Sequence, residues 1–373
     1  MPLPLISLLP NRVRRHYLGG YLLDQLENHP APGDGNCPED WLASTVPAVN
    51  PGLPAVPDEG LAYVQTSSDE CIRLQSLLEE DPVYYFGKPH VERLGAQPGF
   101  LAKLLDSSMR LHTQAHPSTD FARKYLNSPW GKLEIYVVLA LRDEHHSSIR
   151  LGFQRPPTPR EWKRIILEQD IAAMDACFDP IPVHVGEVWF VPGGLPHAVG
   201  EGILMLEVME PSDLVVRCEF ERDGVIVPPE ARFMQVPIDL ALQIFDYTPR
   251  TVEQVRNTYR ITPCRISDCE EVLIGPTHTG YFSVTRLTVE GRMILHSSEQ
   301  LRLGVVVEGR GILTVGDQTI PLHPGSRFLL AASAPAGEIT NPGDDPLHLL
   351  FCSPGTGERP RQARASQHQV TIL

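Results

Sequence analysis

The sequence predicts a mainly β protein, built as a sandwich or barrel with a few helices laid against it. Three observations carry this. Short β-rich runs recur along the chain, among them "KLEIYVVLAL", "EVWFV", "GILMLEVM", "YFSVTRLTV", "LGVVVEG", "GILTV", "SRFLLAA" and "LHLLFC". The 36 prolines and 29 glycines that separate them supply turns, which is the rhythm of packed antiparallel strands. Helical periodicity is confined to a few segments.

Taken in order, "MPLPLISLLPNRVRR" has an apolar run, but no basic stretch precedes it and no small-residue cleavage site follows, so it reads as part of the fold. "CIRLQSLLEEDPVYYFG" places apolar residues at helical spacing. "TPREWKRIILEQDIAAMDACF" opens with Thr158, Pro159 and Glu161, a capping box with proline at the first helical position. "DLALQIFDYTPR" reads as a helix ending at a proline, and the polar stretch from 251 to 260 reads as the boundary between two β-rich units, 1–250 and 251–373. From "GTGERPRQARASQHQVTIL" onward, polar and turn-forming residues suggest a loosely held tail.

With 373 residues, the chain is long enough for more than one core. Hydrophobic residues make up 42% and charged residues 21%, and no run approaches the ~18 to 20 apolar residues a membrane helix needs. A net charge of -14 argues against nucleic acid, whose phosphates require clustered Lys and Arg. Any anionic ligand must then find positive charge within its own pocket. Seven scattered cysteines without CxxC pairs suggest reduced thiols and a cytoplasmic setting.

The chemistry begins at "RLHTQAHP". In an extended segment Gln114 and His116 project to one side, which makes either a hydrogen-bonded polar pair or half of a metal site. "GEVWFVPGGLPHAVGEG" spaces Gly186, Pro192, Gly194 and His197 as G-x5-P-x-G-x2-H, which resembles the second motif of the cupin superfamily, with Glu201 where that motif closes on Asn. In such a jelly-roll barrel the histidine would point into the barrel mouth. "GKLEIYVVL" sets Lys132 and Glu134 on one strand face. Together, Gln114, His116, Glu134 and His197 offer an amide oxygen, two imidazoles and a carboxylate, a set suited to zinc or another borderline divalent ion. The single anionic ligand leaves the ion formally +1 and still a strong Lewis acid.

The combination "LLDSSMRLHTQAHP", "GKLE", "VPGGLPHAVGEG" and "EPSDLVVR", with "CPEDWLAST" and "LIGPTHTGYFSVTRLTV" elsewhere, resembles the type I phosphomannose isomerases, also called class I mannose-6-phosphate isomerases, which are zinc-dependent cupins. The resemblance implies two cupin barrels with an added helical segment. It implies one zinc or other divalent ion per chain held by Gln114, His116, Glu134 and His197, and Arg217, Lys132 and Asp213 in the active site. The implied reaction converts mannose 6-phosphate to fructose 6-phosphate, or another sugar phosphate between aldose and ketose, through a cis-enediol. For the base it supplies Asp213 and Lys132, while Glu207 is a third candidate on position alone.

Two departures bear on the substrate: His112 stands where the family usually has a small hydroxyl residue, and Gly131 where some members have histidine. A different sugar phosphate or a free sugar therefore stays open. The second half follows the same order in "GVVVEGRGILTVGDQTIPLHPGSRFLLAAS" but has Ala331 where the motif's proline would fall and no histidine where the metal ligand would, which predicts a metal-free barrel with His323 as a turn residue. A sugar-binding protein without catalysis is the main alternative. A cupin oxygenase is less favoured, because Gln114 would fill a position that oxygen needs.

Overall fold

The computed structural model describes residues 2–65 and 71–357. The tail expected to be loose lies outside the described residues from 358 on. The architecture is mainly β, with two pairs of larger sheets and two two-stranded ribbons among the described residues.

In the first half a seven-stranded sheet runs in the order Arg260–Ile261, Val188–Val191, Glu134–Leu141, Ile203–Met209, Leu101–Ser107, Glu39–Leu42, Arg12–Val13. Facing it is a five-stranded sheet: Ile181–Pro182, Ser148–Leu151, His197–Val199, Gln114–Ala115, Val216–Arg217. Leu105, Tyr136, Val138 and Met205 of the first sheet meet Leu111, Ile149, Leu151 and Val199 across the interior. The alternate residues of the same strands, Leu104, Ile135, Val137, Leu206 and Val208, turn the other way and join the core of the second half. Both faces of this sheet are therefore covered, and all seven residues of Leu101–Ser107 and of Ile203–Met209 are buried. Such strands read as nearly continuous apolar runs.

The second half pairs a seven-stranded sheet (Leu5–Ser7, Arg327–Leu330, Arg302–Glu308, Leu347–Pro354, Phe282–Val289, Glu270–Ile274, Cys264–Arg265) with a four-stranded one (Arg292–Leu295, Gly337–Thr340, Gly311–Val315, Gln318–Leu322). Among the described residues no sheet closes on itself, so each half is a sandwich of two open sheets rather than a continuous barrel. The halves also exchange edges. Leu5–Ser7 pairs with Arg327–Leu330, while Arg260–Ile261, past the boundary expected at 250, pairs with Val188 and Trp189 of the first half. An exposed edge strand leaves a row of unpaired N–H and C=O groups, and each exchange covers one. The polar stretch expected to be the boundary is itself a helix, Val252–Tyr259, with a Thr251–Gln254 capping box.

The expected helices are shorter than their patterns. Cys71–Arg73 is a strand, Leu74–Glu80 a helix, and Pro82 starts a new one, Pro82–Phe86. Thr158 and Glu161 form the predicted capping box of Pro159–Glu168, which stops where Gln169 takes a left-handed conformation, and Ile171–Ala176 follows. "DLALQIFDYTPR" yields only Ile238–Ala241 and a 3-10 turn. Trp162, Ile165, Ile166, Met174 and Phe178 pack with Ala115 and Val216, so these helices cover the outer face of the five-stranded sheet.

Candidate metal centre

The five-stranded sheet carries a row of opposed residues: Arg217 faces Gln114, Gln114 faces His197, and His197 faces Leu151. Residues opposite one another in neighbouring strands share a face. Ala115 and Val216, one position along, lie against the helices, so Gln114, His197 and Arg217 turn inward. His116 follows just past its strand. From the opposite sheet comes Glu134.

His116, Glu134 and His197 are buried, with ligand-type atoms within 4.8 Å of one another. Nε2 of His116 is 3.0 Å from Oε1 of Glu134, and Nε2 of His197 is 3.7 Å from Oε2. The Nε2 atom of Gln114 is 3.3 Å from Nε2 of His197, and a half-turn of the amide would bring its oxygen to the same place.

The tautomers decide what this group can do. His116 Nδ1 lies 2.8 Å from the Leu214 carbonyl and His197 Nδ1 lies 2.9 Å from the Leu195 carbonyl. A carbonyl only accepts, so each Nδ1 carries the proton and each Nε2 presents a lone pair toward Glu134. Nε2 of His116 has no hydrogen-bond partner. Burial first, then Lys132, holds the His116 imidazolium down to about 3, and burial lowers His197 as well. Two lone pairs aimed at a carboxylate repel it unless a cation lies between them, and backbone carbonyls behind the rings are the usual way to orient metal-binding histidines. The donor set therefore fits one divalent ion.

Local packing fixes this convergence. Gly194 N–H donates to the His116 carbonyl at 2.7 Å, and Lys132 N–H to the Pro117 carbonyl at 3.0 Å. A Cβ on Gly131 would come within 2.4 Å of Thr119 N, and one on Gly193 within 2.8 Å of the Pro117 carbonyl. The backbone of 117–119 is thus clamped between the two conspicuous motifs, and Gly131, a departure from some relatives, is required by that close approach.

Around the centre runs a chain of buried charges. Lys132 Nζ is 3.1 Å from Glu134 Oε1, and the Tyr136 hydroxyl donates to Glu134 Oε2 at 2.7 Å. Across the seven-stranded sheet, Tyr136, Glu207, Lys103 and Trp41 form a second row. Lys103 Nζ lies 3.0 Å from Glu207 and 3.4 Å from Glu39, and Arg15 lies 3.3 Å from Glu39. Burial, then the charge of Glu134, raises the Glu207 carboxyl well above its ordinary range.

Asp213 is committed elsewhere. Arg15 donates to both of its oxygens, at 2.8 and 2.9 Å. Burial alone would raise its pKa, but the charge and hydrogen bonds of Arg15 outweigh that and hold it well below the carboxylate range. A carboxylate so paired is a poor proton acceptor at neutral pH. Arg217 is the opposite case. Among the described residues no carboxylate lies within ion-pair distance, and its Nη1 donates to the Ala231 carbonyl at 2.7 Å. Burial, then neighbouring Arg15, pulls it down to about 10.

His112 is buried, its Nε2 3.3 Å from the Val225 carbonyl, and lines the same cavity as His16. That cavity is only about 40 Å³, while an adjoining one of about 320 Å³ shares Val215 and Arg217 with it. The motifs had not pointed to Lys103, Glu39 or Arg15. A lysine in the middle of the apolar run "LAKLLDS" was the available signal, since a buried charge needs a partner.

Comparison with known proteins agrees with this picture. Residues 275–343 match the family described as mannose-6-phosphate isomerase, cupin domain. The Bacillus subtilis protein named "Probable mannose-6-phosphate isomerase GmuF" is 26% identical over 69% of this chain and 77% of its own length. The mannose-6-phosphate isomerase ManA of the same organism is 23% identical over 74% of this chain and 81% of its own length. The crystal structure of the Bacillus subtilis mannose 6-phosphate isomerase superposes with a TM-score of 0.71 at 21% identity, covering 94% of this chain and 99% of that one. A zinc-bound mannose 6-phosphate isomerase gives 0.69 at 15% identity, covering 94% and 99%. The resemblance to the type I phosphomannose isomerases, read first from the motifs, is borne out.

Proposed function

We propose that this protein is a metal-dependent aldose–ketose isomerase acting on a sugar phosphate, with mannose 6-phosphate to fructose 6-phosphate as its reaction. The observation that carries this is the pair of imidazoles whose Nδ1 protons go to backbone carbonyls while both Nε2 lone pairs face Glu134. Gln114, His116, Glu134 and His197 would hold the ion. When bound it supplies Lewis acidity to the substrate's carbonyl and hydroxyl oxygens.

The remaining residues divide the proton and charge work. Glu207 is the proton carrier: it takes the proton from C2 while the carbonyl oxygen at C1 gains one, giving the cis-enediol. It then returns a proton to C1 as the oxygen at C2 loses its own. Lys103, 3.0 Å away, neutralises its anionic form. Lys132 steadies negative charge developing on the substrate oxygens. Asp213, carried over from the family as catalytic, acts here through Arg15 as a positioning residue. Arg217, with no carboxylate partner among the described residues, is the group suited to a phosphate. The inner cavity of about 40 Å³ suits only the reacting end of a sugar, and the outer one would take the rest.

We read both halves as cupin-type jelly rolls, with the chemistry in 1–250 and a packing role for 251–373. Seven free thiols fit a reducing, cytoplasmic setting. Among the described residues no helix is long and apolar enough to cross a membrane.

The test is exchange in deuterated water. With mannose 6-phosphate, deuterium should enter C2 of the recovered aldose and C1 of the ketose. Metal binding without exchange into any hexose or pentose, phosphorylated or free, would leave a sugar-binding protein instead.

A further inference from the structure

One buried carboxylate near the centre has no place in that scheme. Glu210 is 1% exposed and stands three residues beyond Glu207. Its Oε1 accepts from Thr119 Oγ1 at 2.6 Å and from Gly131 N at 3.2 Å, and its Oε2 accepts from Leu133 N at 3.0 Å. The carboxylate thus bridges the residues on both sides of Lys132 and holds the peptide that leads directly into Glu134. Its own N–H donates to the Leu133 carbonyl at 3.1 Å, and the Ser212 hydroxyl donates to the Gly131 carbonyl. With Lys132 N–H on the Pro117 carbonyl, these bonds pin the 131–133 backbone.

The clamp extends into the second half of the chain. Tyr281 OH lies 2.7 Å from Thr119 Oγ1. A threonine hydroxyl has one proton, and Thr119 gives it to Glu210, so Tyr281 is the donor. Its ring also meets Trp130 edge-on, with centroids 6.1 Å apart. Tyr281 immediately precedes Phe282–Val289, a strand inside the seven-stranded sheet of the second half. The second half therefore reaches the loop that carries Lys132.

We infer that Glu210 is a positioning residue for Lys132 and Glu134, and that Tyr281 couples the second half of the chain to it through Thr119. This rests on the metal-dependent reading above. The relay Tyr281, Thr119, Glu210 fixes where the 131–133 peptide sits, and two or three hydrogen bonds in series act as a unit rather than as separate terms.

The test uses the full-length protein loaded with cobalt(II), whose visible spectrum reports ligand geometry, together with turnover of mannose 6-phosphate. Glu210→Ala should lower kcat by about 10- to 100-fold, the range that partners behind metal ligands command, with a smaller change in KM and an altered cobalt spectrum. Glu210→Gln keeps one acceptor oxygen and should recover part of that loss. Tyr281→Phe removes one donor and keeps the ring; it should lower kcat by about two- to tenfold, the scale of a single net hydrogen bond. In the Glu210→Ala background Tyr281→Phe should have no further effect. An unchanged cobalt spectrum and kcat in Tyr281→Phe and Glu210→Gln, or fully additive losses in the double variant, would overturn the inference. Cobalt uptake by the unaltered protein judges the metal reading separately.

Discussion

The two halves of the chain have the same plan, a large sheet against a small one, and opposite interiors. Residues 1–250 bury Arg15, Glu39, Asp40, Lys103, Asp106, Lys132, Glu134, Glu207, Glu210 and Glu219. Among the described residues of 251–373 the buried charge is Arg327, and its partners Glu27 and Asp40 come from the first half. Where the first half sets Glu207 against Lys103, the second sets Val305 against Leu350. Burying ions is unfavourable unless they are paired, and a well-packed apolar core of the same volume is often the more stable. The first interior thus holds paired ions and the second is packed with apolar side chains, and this contrast can be broken from either side.

The largest effect should come from His197→Ala. It should drop metal content from about one ion per chain to near zero, and turnover by more than about 100-fold, beyond what outer partners command. Metal analysis beside initial rates checks this. Among the described residues the second half holds no comparable group of ligand-type side chains.

Next come the two cores. Lys103→Met leaves Glu39 and Glu207 facing each other without their shared cation. Unfolding by denaturant should show a loss of about 3–5 kcal/mol, and Lys103→Met with Glu207→Gln should regain part of it. Leu349→Ala, in the other core, should cost about 2–5 kcal/mol through its cavity while the folded fraction keeps its kcat. Equal kinetic damage from Leu349→Ala would erase the division of labour.

A finer cut compares two glycines. Gly131→Ala puts a Cβ against the 118–119 backbone, and Gly304→Ala puts one 2.3 Å from the Phe328 ring. Both should destabilise, but only Gly131→Ala should also weaken metal binding, measured by competition with a chelator. Smallest of all, His323→Ala, at an exposed turn, should shift stability by less than about 0.5 kcal/mol and leave metal content unchanged.

How far the sequence could be read follows from the same contrast. Gln114, His116, Glu134 and His197 were legible because each sits in a short motif whose spacing survives without knowledge of the fold. Lys103, Glu39 and Arg15 were not, because their meeting is set by how separate segments pack, with partners 24 positions apart in Arg15 with Glu39 and up to 198 apart in Arg15 with Asp213. The pairing of Asp213 was hidden for the same reason, since its partner Arg15 lies 198 positions away. The β class was plain from its turns. The edge exchanges were hidden, because a three-residue strand such as Leu5–Ser7 shows no sign of which sheet will claim it. Pro82 and Gln169 cut helices that periodicity alone runs together.

The most direct measurement is anomalous diffraction at the zinc edge from crystals of the zinc-soaked protein. A single strong peak should lie about 2.0–2.2 Å from His116 Nε2, His197 Nε2, a Glu134 oxygen and the Gln114 amide oxygen. A map with no peak among these four side chains, or with zinc held only elsewhere, would contradict the account.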